Sequence, residues 1–401
     1  MNRIENLLQT LAPKGVEFRK LGEVINILKG KQLNKELLLD YGEYPVMNGG
    51  IHASGYWNEY NTDYPKIIIS QGGASAGYVN YMTSKFWAGA HCYTIELNSE
   101  KLNYKFLYYF FKNSQTILMK SQFGAGIPAL NKADIETLTI PIPPLEIQQE
   151  IVKILDAFTE LNTELNTELK ARKKQYEYYQ NMLLDFKDIN SNHQDAKEKL
   201  TQKTYPKRLK TLLQTLAPKG VEFRKLGEVC DFQKGKSITK KAVTFGEVPV
   251  ISGGRQPAYY HNEANRSGET IAISSSGVYA GYVSYWDIPV FLADSFSVSP
   301  KTKTLMPKYL FHYLTTQQDA IHATKSTGGI PHVYSKDLQN FLIPIPPLEI
   351  QQEIVKVLDQ FSILTTDLQT GIPAEIKARK KQYEYYREKL LTFKPLTPHK
   401  S

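Results

Sequence analysis

The feature that most constrains this chain is a seventeen-residue segment that occurs twice. One copy spans residues 140–156 and the other spans residues 343–359, and the two differ only at Ile154 and Val357. Each copy opens with prolines, which suit the first turn of a helix because N–H groups there have no intrahelical partner. Apolar residues then recur every three or four positions for about forty residues, which predicts a helix of roughly 60 Å. Since a helix of this length cannot bury its apolar stripe alone, the two copies are predicted to pack on each other.

Further segments of the chain are also duplicated. Residues 7–24 and 212–229 are identical at all eighteen positions, and the motif KARKKQYEYY occurs at residues 170–179 and again at residues 377–386. This self-similarity indicates a tandem duplication of a unit of about 205 residues. The regions between the identical segments keep the same order of motifs but differ in their loop residues. The sequence therefore predicts one framework that carries two different binding surfaces.

Each half is predicted to contain an α+β domain. Short runs rich in β-branched and aromatic residues are broken by glycine pairs and are followed by a helical segment. The predicted fold class is α+β, with two such domains joined by two long antiparallel coiled-coil helices in a pseudo-two-fold tandem duplication. The predicted boundaries are residues 1–139 for the first domain with its N-terminal segment, 140–187 for the central long helix, 188–210 for a polar linker, 211–342 for the second domain, and 343–395 for a distal long helix broken near residues 371–373.

The two long helices differ in the middle of their length. The distal helix carries Gly371 and Pro373 within a four-residue insertion, and these residue types stop or kink a helix. The central helix instead carries a tetrapeptide run in which Leu161, Leu165 and Leu169 fall four residues apart. Such a unit can be added or removed without breaking the apolar stripe. The residues predicted to space the domains and to support a partner on the helices are Leu161, Leu165, Leu169, Tyr176, Tyr179, Tyr383 and Tyr386.

Composition favours a polyanionic partner and an intracellular location. The net charge is +9 and the pI is about 9.1, although a basic surface is also compatible with simple solvation of lysines. Two cysteines cannot form a disulfide framework, so a reducing cytoplasm is expected. The first residues lack the apolar core of a signal peptide, and no apolar run approaches the ~20 residues that a membrane span requires.

Motifs for catalysis are incomplete. Gly235-Lys236-Ser237 resembles the end of a phosphate-binding loop, but Cys230 stands where that loop needs its first glycine. His91 beside Cys92 lacks the further ligands of a metal site. The Asn/Asp-Pro-Pro-Tyr/Phe motif of base methylation is absent. The chain is therefore interpreted as a binding protein without a catalytic residue, a metal or a cofactor of its own.

Basic and aromatic residues recur in the loops of both halves. Lysine and arginine neutralise DNA phosphates, while aromatic and amide side chains stack on bases or bond to base edges. The plainer interpretation of any one of them is a solvated lysine or a ring in a small core, but their recurrence at matching positions favours DNA binding. The candidate DNA-binding residues are Lys29, Lys31, Lys35, Tyr56, Trp57, Gln71, His91, Lys234, Lys236, Lys240, Arg255, Gln256, Tyr260, His261 and Arg266.

With these motifs the chain resembles the specificity (S) subunit of type I restriction–modification systems, the HsdS family. The resemblance covers nearly the whole chain. It rests on the repeated motif Pro-x-Pro-Pro-Leu-x-x-Gln-Gln-x-Ile-Val, on Arg-Lys-Lys-Gln-Tyr-x-Tyr-Tyr at residues 172–179 and 379–386, and on Gly-Ile-Pro at residues 126–128 and 329–331.

The resemblance implies two target-recognition domains, each reading one half of a split site on double-stranded DNA, with helices that set the spacer between the half-sites. It implies that methyltransferase (M) subunits, two in number, dock on these helices, and that restriction (R) subunits join them. S-adenosylmethionine, ATP and Mg²⁺ are then expected on the partner subunits. The base-reading residues do not transfer from the family, because its recognition domains vary widely.

Two other interpretations are compatible with parts of the sequence. One is a non-catalytic coiled-coil scaffold that binds DNA without sequence specificity, and it predicts weak binding with a steep dependence on salt concentration. The other is an enzyme that uses the clefts of the two domains, against which the missing motifs argue.

Overall fold

The chain divides into two compact units. The computed structural model describes residues 2–121, 128–186, 205–301, 303–326, 329–367 and 370–396. The first unit comprises Met1–Asn166 with Glu375–Ser401, and the second comprises Thr167–Ala374. Each unit therefore holds one α+β domain, the first part of one long helical segment and the last part of the other.

In its described residues, the N-terminal half forms four α-helices and nine strands. The helices are α1 (Asn2–Leu11), α2 (Tyr104–Lys120), α3 (Lys132–Glu136) and α4 (Leu145–Leu184). The strands are β1 (Glu17–Lys20), β2 (Ile25–Lys29), β3 (Tyr44–Met47), β4 (Tyr56–Trp57), β5 (Lys66–Ser70), β6 (Val79–Met82), β7 (Trp87–Ala88), β8 (Cys92–Leu97) and β9 (Thr139–Ile142).

The C-terminal half repeats this order. Its helices are α5 (Lys207–Leu216), α6 (Leu226–Val229), α7 (Pro307–Thr316), α8 (Gln318–Ala323), α9 (Ser335–Leu338), α10 (Leu348–Thr366) and α11 (Ile372–Leu390). Its strands are β10 (Phe223–Lys225), β11 (Cys230–Lys234), β12 (Val248–Ile251), β13 (Tyr259–His261), β14 (Thr270–Ser274), β15 (Val283–Trp286), β16 (Phe291–Leu292), β17 (Ser295–Pro300) and β18 (Leu342–Pro344).

The two domains have the same strand topology. In the first, a four-stranded sheet has the order β2-β8-β5-β6 and a three-stranded sheet has the order β4-β3-β7. In the second, the corresponding orders are β11-β17-β14-β15 and β13-β12-β16. The central strands β5 and β14 are apolar in the middle and almost entirely buried, as strands covered on both faces must be. Helix α2 buries Phe106, Leu107 and Phe111 against the first sheet. This architecture confirms the predicted α+β class and the shared framework.

Each domain begins and ends in a two-stranded antiparallel ribbon. Strand β1 pairs with β9, with Glu17 opposite Ile142 and Lys20 opposite Thr139. Strand β10 pairs with β18 in the same way, with Phe223 opposite Pro344. The chain therefore enters and leaves each domain at one place, immediately before a long helix.

A buried glutamine attaches each long helix to its domain. Gln148 is fully buried, and its Nε2 donates to the carbonyls of Lys101 (2.8 Å) and Pro143 (2.6 Å) while its Oε1 accepts from the amide of Asn103 (2.7 Å). Gln351 makes the matching bonds to Thr304, Pro346 and Met306. The invariance of this stretch between the copies thus has a physical cause, because a buried amide must satisfy its donors and its acceptor.

The long helical segments pair within each unit. In the first unit the ring of Phe158 stacks on Tyr386 at 5.5 Å and lies 6.4 Å from Tyr383. In the second unit Phe361 stacks on Tyr179 at 5.2 Å and lies 6.5 Å from Tyr176. In each unit, the first part of one long helical segment thus packs on the last part of the other. Antiparallel helices pair in this way.

The central and distal segments differ as their sequences differ. Helix α4 is continuous over forty residues, and in its tetrapeptide run Leu165 is buried while Leu161 and Leu169 are partly buried. The distal segment is two helices, of which α10 ends at Thr366 and α11 begins at Ile372, so Pro373 lies in a first turn, where proline fits. A side chain at Gly371 would place its Cβ 2.4 Å from the carbonyl oxygen of Ile363.

The structure corrects several predicted boundaries. The long helical segments begin at Leu145 and Leu348, because residues 140–142 and 343–344 belong to strands β9 and β18. Helix α5 begins at Lys207, so residues 207–210 are helical rather than part of the polar linker, and Leu209 and Leu213 are buried on its apolar face. Linker residues 188–204 lie outside the described residues.

A polar network holds helix α10 on the second domain. Asp359 accepts from Lys308 (2.7 Å) and bonds His312 (3.0 Å), and His312, which is 1% exposed, also lies 3.4 Å from the hydroxyl of Tyr176. Burial by itself would raise the pKa of Asp359, but the hydrogen bonds from His312 and Lys308 outweigh it and leave the pKa lowered. In the first unit the equivalent Asp156 accepts from Tyr109 instead of a histidine.

We expect Asp359→Asn to lower the free energy of unfolding by about 1–3 kcal/mol at neutral pH, because hydrogen bonds to a charged group are lost. Since the folded-state pKa is lowered, the contribution of Asp359 is complete above the unfolded-state pKa of aspartate and is lost as the pH falls through the folded-state value. Urea unfolding of both proteins between pH 7 and pH 3 should therefore show a difference that shrinks on acidification. Asp287→Asn, at an exposed aspartate, is the control. A difference that is constant with pH would contradict the assignment.

Candidate nucleic-acid interface

Five loop segments of the first domain meet to form what we term the first loop cluster, residues 30–31, 48–50, 71–73, 89–91 and 128–130. Backbone hydrogen bonds hold it together. The amide of Gln71 donates to the carbonyl of His91 (2.9 Å), the amide of Leu130 donates to the carbonyl of Gln71 (2.8 Å), and the amide of Gly73 donates to the carbonyl of Pro128 (2.8 Å). The side chains of these loops are therefore presented from a fixed backbone.

The second domain builds the same arrangement, the second loop cluster, from residues 235–236, 252–255, 275–279, 292–294 and 331–334. The amide of Ser275 donates to the carbonyl of Asp294 (3.0 Å), that of Val333 to the carbonyl of Ser275 (2.9 Å), and that of Gly277 to the carbonyl of Pro331 (3.0 Å). Its backbone bonding thus repeats that of the first cluster, while the side chains differ.

The Gly-Lys pair in each cluster serves this backbone and not a phosphate. A Cβ on Gly30 would lie 2.1 Å from the carbonyl oxygen of Gly89, and one on Gly235 would lie 2.5 Å from that of Ala293. The amides of Lys31 and Lys236 donate to carbonyls of the neighbouring loop at 2.8 Å in both clusters. The N–H groups that a phosphate-binding loop would need are therefore already bonded.

The lysine candidates are all exposed. Lys29 and Lys234 end strands β2 and β11, Lys31 and Lys236 belong to the loop clusters, and Lys35 and Lys240 lie on short 3-10 turns. Because these lysines are exposed, their ammonium groups can contact phosphate oxygens.

Several aromatic and polar candidates also reach solvent. Tyr56 and Tyr260 lie at matching positions of β4 and β13 and are 38% and 57% exposed. Arg255 belongs to the second loop cluster and lies over the ring of Tyr279 at 4.8 Å.

His91 is exposed in the first cluster. The remaining two of this kind are Gln256, which is exposed, and Trp57, which is half-buried.

Three further candidates have side chains that are partly or wholly buried. His261 is 6% exposed, bonds the backbone of Thr244 and packs edge-on against Phe291. Arg266 donates to Ser297 Oγ and to the carbonyls of Asn265, Gln233 and Lys234, so its guanidinium braces strand β11. Gln71 turns its Oε1 into the interior.

The burial of His261 corrects the prediction that its side chain reads bases directly. For Arg266 and Gln71, which are partly exposed, base reading stays a prediction. The same residue type can either bond to the protein's own backbone or face DNA, so residue type alone could not distinguish the two roles. Arg266 still fixes Lys234, whose carbonyl it bonds at 3.1 Å.

The structure also exposes residues that sequence reasoning missed. Tyr41 and Phe245 are 90% and 95% exposed at matching positions, and each directly precedes the aligned glycines Gly42 and Gly246. Comparison of the two halves at these glycines could have identified them. Beside Asp294 a cavity of about 400 Å³ is lined by residues from the loops around it, which are Lys234, Ser275, Asp294, Phe296, His332, Val333, Tyr334, Ser335 and Lys336.

The described ranges show no metal cluster. No group of three or more His, Cys, Asp or Glu residues in them could hold a metal ion. Cys92, next to His91, is 2% exposed, and burial raises the pKa of its thiol to about 12. None of the described helices is long and apolar enough to cross a membrane.

Comparison with known proteins places these features in context. The family model "Type I restriction modification DNA specificity domain" matches residues 13–175 and again residues 218–378. A Haemophilus influenzae protein named as a type I restriction enzyme specificity subunit is 33% identical over 94% of this chain and 96% of its own length. The specificity subunit of the Escherichia coli enzymes EcoR124I and EcoR124II is 30% identical over 99% of this chain and 98% of its own length.

The fold is also found among solved structures. The crystal structure of the S subunit of a type I restriction–modification system from Mycoplasma genitalium superposes with a TM-score of 0.66 at 23% identity. The match covers 94% of this chain and 96% of that one. It supports the architecture of two tandem α+β domains with long helices.

Proposed function

The chain belongs to the type I restriction–modification DNA specificity family, and from this we propose that its two loop clusters read the two halves of a bipartite site on double-stranded DNA. The observation that carries the proposal is the pair of clusters itself. Their backbones are bonded in the same way, whereas their exposed side chains differ. A shared framework with different side chains suits two recognition surfaces of one kind that bind different base sequences.

The exposed lysines support this assignment. Lysines that occupy matching positions next to both clusters supply sequence-independent attraction to phosphates, while the cluster side chains supply discrimination between bases. A scaffold that binds DNA without specificity would need the lysines but would have no use for two differing sets of side chains on one framework.

The duplicated helical surfaces fit a partner that binds twice. Tyr178 and Tyr385 are 58% and 59% exposed within the KARKKQYEYY copies, so both copies present a ring to solvent at the same position. We propose that two methyltransferase subunits dock on these helices, with restriction subunits joining the complex in the cytoplasm. S-adenosylmethionine, ATP and Mg²⁺ would then be held by the partners, since the DNA-binding chain needs none of them to recognise its site.

The test is to express the full chain with the methyltransferase subunit of the same system and to map modified bases across the host genome. Modification confined to one bipartite sequence is expected. The purified chain incubated alone with S-adenosylmethionine and the same DNA is the control and should transfer no methyl groups. Modification scattered without a common sequence would favour the non-specific scaffold.

Deletion of residues 163–166 is expected to change only the spacer of the recognised site. Removing four residues shortens helix α4 by about 6 Å and rotates its end by roughly 40°, while DNA advances about 3.4 Å per base pair. The non-specific gap should therefore change by one to two base pairs, and the half-sites should stay the same because the loop clusters are untouched.

The same genome-wide mapping measures this change. The control is a chain in which residues 163, 164 and 166, which are exposed, are replaced by alanine. It keeps the helix length and the buried Leu165 and should keep the gap. Full activity with an unaltered gap in the deletion variant would show that α4 does not measure the spacer.

A further inference from the structure

We propose that His91 and Asp294 are the equivalent base-reading positions of the two domains, and that Asp294 selects a base, cytosine or adenine, whose own major-groove edge presents an amino group. This inference rests on the proposed function and names the residues that give the two half-sites different sequences. His91 is assigned the complementary preference, for a base edge that accepts a hydrogen bond.

The two residues occupy one place in the fold. Each follows the short strand of the three-stranded sheet, β7 or β16, and directly precedes β8 or β17. Each uses its carbonyl to accept from the equivalent amide, that of Gln71 at 2.9 Å or that of Ser275 at 3.0 Å. The backbone hydrogen bond at this position is therefore the same in both domains, while the side chain differs and the loop before it is one residue longer in the first domain.

The backbone around this position is rigid, while the side chain is accessible. His91 and Asp294 are exposed, but the residues that follow them, Cys92 and Ser295, are 2% and 1% exposed. Ala293, which precedes Asp294, is 8% exposed. An exposed polar side chain on a buried, hydrogen-bonded backbone is pre-organised, so little entropy is lost when it bonds to a base edge.

The chemistry of Asp294 makes it selective. Ser276 donates its hydroxyl to Oδ2 of Asp294, which orients the carboxylate and leaves Oδ1 to accept another hydrogen bond. A carboxylate accepts and does not donate, so it pairs with the N4 amino group of cytosine or the N6 amino group of adenine and disfavours guanine O6 and thymine O4.

The surroundings of Asp294 offset its repulsion of DNA phosphates. Lys234 and Lys336 line the cavity of about 400 Å³ beside it, and Arg255 in the same cluster lies over Tyr279 at 4.8 Å. The cavity is also lined by the rings of His332 and Tyr334, which stack on each other at 6.0 Å. These cations can engage the phosphates on either side of the base pair that Asp294 contacts.

His91, unlike Asp294, can donate a hydrogen bond from its side chain. Within the described residues its ring has no hydrogen-bond partner, whereas its backbone amide is held by Asn48. An imidazole carries an N–H donor, which matches the acceptors N7 and O6 of guanine. One framework position thus carries a side chain that can donate in the first domain and a side chain that only accepts in the second.

The experiment uses the full chain in complex with its methyltransferase subunit, bound to duplex libraries in which both half-sites are randomised, with the selected DNA sequenced. Asp294→Asn and Asp294→Ala should lower the preference at one base pair of the second half-site by about ten- to a hundred-fold. His91→Asp should alter one base pair of the first half-site. In each variant the other half-site, and in Asp287→Asn both half-sites, should be unchanged.

The outcomes separate the inference from the function on which it rests. Unchanged base preferences in the Asp294 variants and in His91→Asp, together with a normal preference of the parent complex for a bipartite site, overturn the inference alone. A parent complex without sequence preference overturns both. If Asp294 only orients Ser276, its variants will lower thermal stability without changing the selected sequence. If Asp294→Ala fails to fold, the nearly isosteric Asp294→Asn and the exposed His91→Asp decide the result.

Discussion

Gln351→Leu is expected to destabilise the second unit by about 3–5 kcal/mol. The leucine fills a similar volume, but it leaves the amide of Met306 and the carbonyls of Thr304 and Pro346 without the partners they have in the parent chain. Because the site is fully buried, water cannot replace those bonds without opening the junction between domain and helix. Gln148→Leu should have the same effect in the first unit, through Asn103 and its neighbours.

The chain supplies a matched control for each substitution. The next residue of the motif, Gln149 or Gln352, is exposed, so its replacement by leucine should change the free energy of unfolding by less than about 0.5 kcal/mol. Urea unfolding followed by circular dichroism measures all four variants. Equal effects at the buried and exposed glutamines would show that the buried hydrogen bonds do not stabilise the junction between domain and helix.

A fragment of residues 1–187 is expected to form a tight dimer. In the intact chain Leu390 and Leu391, from the distal segment, complete the core of the first unit, and Phe393 packs against it. Leu183, Leu184 and Phe186, from the end of α4, occupy the second core in the matching way. A fragment that lacks the distal segment can therefore fill its open core only with the α4 end of another copy.

Sedimentation equilibrium measures the state of the fragment, and co-expression with the methyltransferase subunit measures its function. A dimer should direct modification to a palindrome of two copies of the first half-site, because both of its recognition domains are the same. The variant Leu183→Asp with Leu184→Asp is the control and should not dimerise. A monomeric fragment that unfolds as cooperatively as the intact chain would contradict the exchange of helix ends.

Much of the fold could be predicted from the sequence because the two halves of the chain can be compared with each other. The apolar spacing around Phe158 and Phe361 predicted the paired helices, and Gly371 with Pro373 predicted a break, which falls between Thr366 and Ile372. These features depend on periodicity and on backbone chemistry, which are local properties of a sequence.

The candidate site could be predicted only in part, because exposure depends on tertiary contacts. The lysines and Tyr260 lie on the surface as expected, but His261 and Arg266 satisfy groups of strands and turns that lie far from them in sequence. Asp294 was missed because a single aspartate before a strand carries no motif. Its significance follows only from the loop cluster that places it opposite Ser276 and in the position of His91.

The antiparallel ribbons at which the chain enters and leaves each domain have a consequence for how one domain can be exchanged for another by recombination. Residues 7–24 and 212–229, which include all of strands β1 and β10, are identical, and the strands that pair with them run into the shared seventeen-residue segments. Genetic crossover within these stretches exchanges one whole domain for another. The residues of the exchanged ribbon then meet the same shared sequence that they met before the exchange. New target sequences can therefore arise by exchange of intact cassettes, without an intermediate that has lost its fold.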